Sequence, residues 1–159
     1  CFIPDNDYRG FIKRKRPDLI KAGEIKMLSD DSIVGTHDGI FNFTIGQRKG
    51  LGVEATGSAL YVTSLNAKTN TVYLGTEDDL ITSTAFVADP TWHSIDKLVG
   101  EMEVTVRVRH MGIPVKAIIK DIGANVIQIK FLGEVKSVTP GQSAVFYDRD
   151  KIVGGGFIC

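Results

Sequence analysis

Between Met102 and Arg109 the chain alternates strictly. Met102, Val104, Val106 and Val108 are apolar; Glu103, Thr105, Arg107 and Arg109 are polar. A period of two puts the first set on one face of a β-strand and the second on the other. The pattern therefore predicts a strand whose apolar face packs inward and whose outer face carries two arginines side by side. Ile113–Lys120, Asn125–Phe131, Ser143–Tyr147 and Lys151–Ile158 read as further strands, separated by turns at Asp121-Ile122-Gly123, Thr139-Pro140-Gly141 and Asp148-Arg149-Asp150. Five or six short strands within the last half of the chain predict closure into a small antiparallel barrel, because closure removes exposed strand edges. Gly154-Gly155-Gly156, set between Ile152-Val153 and Phe157-Ile158, reads as a strand with a close backbone approach or a bulge rather than as a linker.

The first half is less regular. Asp5-Asn6-Asp7 offers helix N-cap residues, with Tyr8, Phe11 and Ile12 at helical spacing behind them. Pro17 should end this short helix near Arg16. Residues 23–45 read as short strands and turns, with turn signals at Ser29–Ser32 and Gly35–Gly39. Leu60–Leu65 and Thr71–Leu74 predict a hairpin joined by Asn66–Asn70. The polar, aperiodic stretch Gly75–Asp79 marks a domain boundary, giving a central domain over 1–78 and a C-terminal barrel over 79–159. The expected class is mainly β. No internal repeat or low-complexity segment is present.

Thr44–Gly52, TIGQRKGLG, holds three glycines around Gln47, Arg48 and Lys49. Glycine tolerates positive φ, so the stretch predicts a turn between two strands that presents two adjacent cations. It lacks the GxxxxGK[ST] spacing of a P-loop. A second basic run, Lys13–Arg16, suits either a solvated helix C-terminus or a phosphate-contacting patch. Nineteen basic residues balance nineteen acidic ones. That excludes a general electrostatic polyanion binder and requires any nucleic-acid contact to come from local patches. No apolar run approaches the ~20 residues of a membrane helix. The two cysteines, at the extreme ends, form no disulfide framework and point to a reducing cytoplasm. His37 has no partner at metal-ligand spacing and reads as a turn residue bonded to backbone, so no metal is expected.

Four stretches in order carry a resemblance: Cys1-Phe2-Ile3-Pro4; Gly35–Gly39 (GTHDG) with TIGQRKGLG; Val138–Tyr147 (VTPGQSAVFY); and Ile152–Ile158 (IVGGGFI). Together they resemble the central and C-terminal parts of bacterial tRNA-specific 2-thiouridylases, also labelled tRNA methyltransferases. No glycine-rich methyl-donor loop is evident here. The resemblance implies a C-terminal barrel similar to those of translation elongation factors. It also implies an N-terminal nucleotide-binding domain that is not part of this sequence. That domain would use ATP with magnesium to adenylate the wobble uridine of tRNA for Lys, Glu or Gln. Cys1 would carry the persulfide, loaded by an upstream sulfur-relay protein, and its sulfur would displace AMP. The resolving cysteine, which forms a disulfide in turn, would lie in the absent domain; Cys159 matches no catalytic thiol of the family. Arg107-Val108-Arg109 matches the family's Arg-Tyr-Arg stretch, which puts Arg107 and Val108 at the tRNA with Arg109 beside them. Val108 replaces the family's Tyr, so that ring is lost. Gln142 matches a glutamine that contacts tRNA near the modified base, and Gln47, Arg48 and Lys49 fall in a loop near the active site. On this resemblance the chain supplies tRNA binding and the persulfide cysteine, binds no cofactor itself, has no membrane partner and is inactive alone. The competing expectation is a non-catalytic RNA- or protein-binding β-module in which Cys1 is incidental.

Overall fold

The computed structural model describes residues 7–53, 57–109 and 112–159. The chain divides into two compact units, Cys1–Leu80 and Ile81–Cys159. It is mainly β, with one short α-helix and ten strands among the described residues. None of its described helices is long and apolar enough to cross a membrane.

The first unit begins with α1 (Tyr8–Lys15). Asp7 caps it by accepting a hydrogen bond from the Gly10 N–H at 2.9 Å. Arg16 closes it, and a 3-10 turn follows over Pro17–Leu19. The other two capping candidates, Asp5 and Asn6, lie outside the described residues. Tyr8 and Phe11 remain exposed, so α1 adds no buried residue to the core. β1 (Gly23–Met27) and β2 (Ile33–His37) pair antiparallel around the Ser29–Ser32 turn. Three of the five residues of the turn expected at Gly35–Gly39 are therefore strand: Gly35 pairs with Ile25 and His37 with Gly23. β3 (Tyr61–Asn66) and β4 (Thr71–Gly75) form the expected hairpin. β4 also runs parallel to β1, giving the sheet order β2-β1-β4-β3. Ile25, Val62, Val72 and Leu74 are fully buried, and Phe43 and Leu51 pack with them.

The second unit is a closed barrel in the order β10-β5-β8-β7-β6-β9. Its strands are β5 (Ile81–Trp92), β6 (Glu101–Arg107), β7 (Val115–Asp121), β8 (Val126–Lys136), β9 (Ser143–Asp148) and β10 (Lys151–Ile158). Five of the six match the strands read from the sequence. The sixth, β5, is the longest and has no counterpart there. Its inward residues are small or short (Ala85 and Val87), while Phe86 sits outward, so the period of two is blurred. Asp89, at φ +48°, and Pro90 interrupt it further. At this point the strand ceases to pair with β8, whose last partner is Ala88, and continues against β10 to Trp92. A proline fits there because a strand that changes partner no longer needs every N–H.

The glycine triplet holds the seam of the barrel. β10 lies between β9 and β5, with register shifts between Ile152 and Gly154 and between Gly155 and Phe157. A Cβ at Gly154 would stand 2.6 Å from the Thr91 carbonyl oxygen, and one at Gly156 would stand 2.6 Å from that of Ala88. A Cβ at Gly155 would collide with the Ala144 carbonyl oxygen. The triplet is thus a strand of close backbone approach with bulges, as its apolar flanks suggested. Gly155→Ala should lower stability by about 2–4 kcal/mol in urea unfolding. Gly123→Ala, in an open turn at φ +84°, should cost only about 1 kcal/mol.

Candidate nucleic-acid interface

β6 sorts charge along its outer face. Glu101 bonds the Lys120 ammonium at 3.0 Å, and Glu103 lies 3.7 Å from Lys116, both on β7. Arg107, at the other end of the same face, makes no ion pair among the described residues. Its Nε is buried without a hydrogen-bond partner there. On its other side β6 pairs with β9, Thr105 facing Tyr147 and Arg107 facing Val145. The Arg107 guanidinium carbon lies 5.9 Å from the centre of the Tyr147 ring.

These strand ends open onto a cleft of about 540 Å³ lined by Arg107, Arg109, Gln142, Ser143, Val145 and Tyr147, with Gly141. It contains two guanidinium groups and no carboxylate. Arg109 lies beyond the end of β6, exposed, and donates through Nη2 to the Lys136 carbonyl at 2.7 Å. Gln142 is fixed by its backbone: its N–H donates to the Thr139 carbonyl at 3.2 Å, and its own carbonyl accepts from Ile158 at 2.7 Å. Its side chain is exposed and makes no hydrogen bond among the described residues. The structure therefore brings Arg107, Arg109 and Gln142 together, though 33 residues separate the last two.

Val108 differs. It is 7% exposed and belongs to the barrel core with Val104 and Val106. Its inward position follows from the alternation itself, so its side chain has no surface to offer a partner. Any contact at position 108 would therefore have to come from its backbone rather than its side chain.

The cations of the first unit are more heavily engaged. A cleft there of about 650 Å³ includes Arg9, Lys13, His37, Asp38, Asn42 and Leu51 in its lining. Arg9 donates to the Asn42 carbonyl at 3.3 Å, and Lys13 pairs with Asp38 at 3.4 Å. Arg16 is held by Asp18 at 2.7 Å. Of the basic run, Arg14 and Lys15 are exposed with no ion pair among the described residues. His37 is buried, and both of its ring nitrogens are used: Nδ1 accepts from the Gly39 N–H, and Nε2 faces the Asn70 carbonyl at 3.1 Å. It is the last residue of a strand rather than a turn residue, and it is bonded to backbone as expected. No cluster of three or more potential metal-ligating side chains occurs among the described residues.

Thr44–Gly52 is a loop from a 3-10 turn at Ile40–Asn42 to β3, not a turn between two strands. Gly46, Gly50 and Gly52 all adopt positive φ, at +86°, +69° and +73°. Gly46 donates to the Val62 carbonyl and Val62 to the Gln47 carbonyl, which ties the loop to β3. The Gln47 side chain is committed within the loop. Its Oε1 accepts from Thr44 N–H at 3.1 Å, and its Nε2 donates to the Lys49 carbonyl at 2.9 Å. Sequence reasoning missed this staple, although a Gln between two glycine bends is its signal. Arg48 and Lys49 remain exposed on the loop it shapes. Cys1 lies outside the described residues. Cys159 is exposed and free, and its backbone N–H bonds the Phe86 carbonyl.

Fold and site together define a two-unit β protein whose barrel opens an acid-free, arginine-lined cleft. Residues 9–76 match the tRNA methyl transferase PRC-barrel domain, and residues 82–158 match the aminomethyltransferase beta-barrel domain. The chain is 43% identical over 158 residues to tRNA-specific 2-thiouridylase MnmA 2 of Thermoanaerobacter pseudethanolicus, covering 99% of itself and 43% of that relative. It is 42% identical to MnmA 1 of Caldanaerobacter subterraneus and 43% identical to an MnmA 2 of Clostridium botulinum. It spans less than half the length of these relatives. The chain belongs to the tRNA-specific 2-thiouridylase family.

The Lys13 ammonium, through its hydrogen bond, holds the Asp38 carboxyl below the usual aspartate range. A depressed folded pKa adds stability above the unfolded value and loses it as pH falls through the folded one. Asp38→Asn should therefore be slightly less stable than the native chain at neutral pH. The difference should vanish in acid, as followed by urea unfolding across a pH series. A difference that persisted unchanged in acid would show that charge is not its source.

Proposed function

We propose that this chain is the tRNA-facing and sulfur-carrying portion of an enzyme that 2-thiolates the wobble uridine of tRNA. The observation that carries the reading is the cleft: two arginines, an uncommitted amide and no acid, on a chain whose net charge is zero. Arg107 and Arg109 supply phosphate contacts, which position the RNA. Gln142 offers both a donor and an acceptor to a base edge. Arg48 and Lys49 add charge from the first unit's glycine loop, while Gln47 shapes that loop rather than touching RNA.

Cys1 carries sulfur as a persulfide received from a sulfur-relay protein. After ATP-dependent adenylation of O2, the new bond forms between C2 of the uridine and this sulfur, and AMP leaves. The persulfide S–S bond then breaks by attack of a second thiol, which supplies the resolving disulfide. In this reading adenylation with magnesium is assigned to a nucleotide-binding domain outside this chain, and the chain alone is expected to turn over nothing. Chemistry on uridine in a reducing compartment suits a cytoplasmic setting.

Arg107→Ala in the intact protein should weaken tRNA binding and lower the slope of log K against log[salt] by about one unit. An unchanged slope rules the cleft out as the phosphate contact. Cys1→Ser should abolish thiolation from a supplied persulfide while sparing ATP-dependent adenylation. Normal thiolation by that variant would return the chain to the role of a binding module.

A further inference from the structure

The cleft holds one feature that phosphate binding leaves unused, the ring of Tyr147. The β6–β9 register makes Tyr147 and Arg107 diagonal neighbours on the outer face, while Val106 and Phe146 point into the core. At 5.9 Å the guanidinium reaches the ring at the outer limit of a cation–π contact, which is too far to cap it fully. No other aromatic ring stacks on Tyr147 among the described residues, and its hydroxyl makes no hydrogen bond there. Val108 faces inward in this barrel. The aromatic surface of the cleft comes instead from β9.

We propose that Tyr147 is a stacking platform for an unpaired nucleobase of the bound RNA, beside the phosphate contact of Arg107. A cation, an aromatic face and a free amide within one cleft are the set that single-stranded nucleotides need; a bare anion would need only the cations. A volume of about 540 Å³ falls within the roughly 300–1,000 Å³ of small-ligand pockets. That is room enough for a nucleotide. The proposal deepens the tRNA reading of the cleft and rests on it.

The test uses the intact protein and unmodified tRNA, with affinity measured over a series of salt concentrations for Arg107→Ala, Tyr147→Leu and Tyr147→Phe. Tyr147→Leu should bind roughly 5- to 100-fold more weakly with an unchanged salt slope. Tyr147→Phe, which keeps the ring, should recover most of that loss. In native protein, anticodon-arm RNA carrying 5-iodouridine at its loop positions should photo-crosslink to Tyr147, a readout independent of any variant's folding. If Arg107→Ala lowers the slope but Tyr147→Leu binds like native protein, stacking is overturned and the cleft reading stands. Crosslinks that map elsewhere, with none at Tyr147, also overturn stacking. If Arg107→Ala leaves the slope unchanged, the cleft reading fails and takes the stacking proposal with it.

Discussion

Closure of the barrel depends on β10 lying closer to both of its neighbours than side chains allow. Three consecutive glycines permit that approach, and each carries its contact to a carbonyl oxygen of β9 or β5. The same seam determines where the cleft forms. Gly141 donates to the Ile158 carbonyl, and Ile158 donates back to Gln142, so the end of β10 fixes the backbone that presents the Gln142 amide. β9 then runs from that point with Val145 and Tyr147 outward, and its pairing with β6 brings Arg107 beside them. A change at Gly155 is therefore a change at the cleft, although Gly155 offers no side chain to it.

A chain with no net charge can still face a polyanion if its charges are sorted. β6 does this within seven residues. Its two glutamates meet lysines of β7, and those exposed pairs are worth little to stability individually. Their effect is to keep the acids at one end of the strand and leave the arginine at the other without an ion pair. The first unit shows the opposite arrangement: Lys13, Arg16 and Lys26 each have a carboxylate within 3.4 Å. Its cleft of about 650 Å³ holds Lys13 paired with Asp38.

Much of the barrel was legible because alternation is a local signal. The strand at Glu101–Arg107, the last strand and the turns between strands could all be read without knowing their partners. β5 could not. Its inward positions are Ala85 and Val87, its outward Phe86 is apolar, and Asp89-Pro90 breaks it, so its strand character comes from β8 and β10 rather than from its own sequence. The same logic explains the site. Arg107 and Gln142 were recognisable from motifs, but their juxtaposition is a product of register. Val108 was assigned by motif to a contact and by period to the core, and the period was right about its side chain. A motif records which residues travel together; the parity of a strand decides which of them can reach a ligand.

The same distinction separates the two polar side chains singled out as amides. Gln47 sits in the more conspicuous motif, between two glycine bends and next to two cations. Both ends of its side chain are nevertheless consumed within the loop, by Thr44 and Lys49. Gln142 sits in a plainer turn, but its backbone satisfies the turn and leaves the side chain uncommitted. A hydrogen-bonding group can read a partner only if folding has not already used it. By that criterion the glycine loop is a scaffold for Arg48 and Lys49, and the barrel cleft is where recognition chemistry is left open.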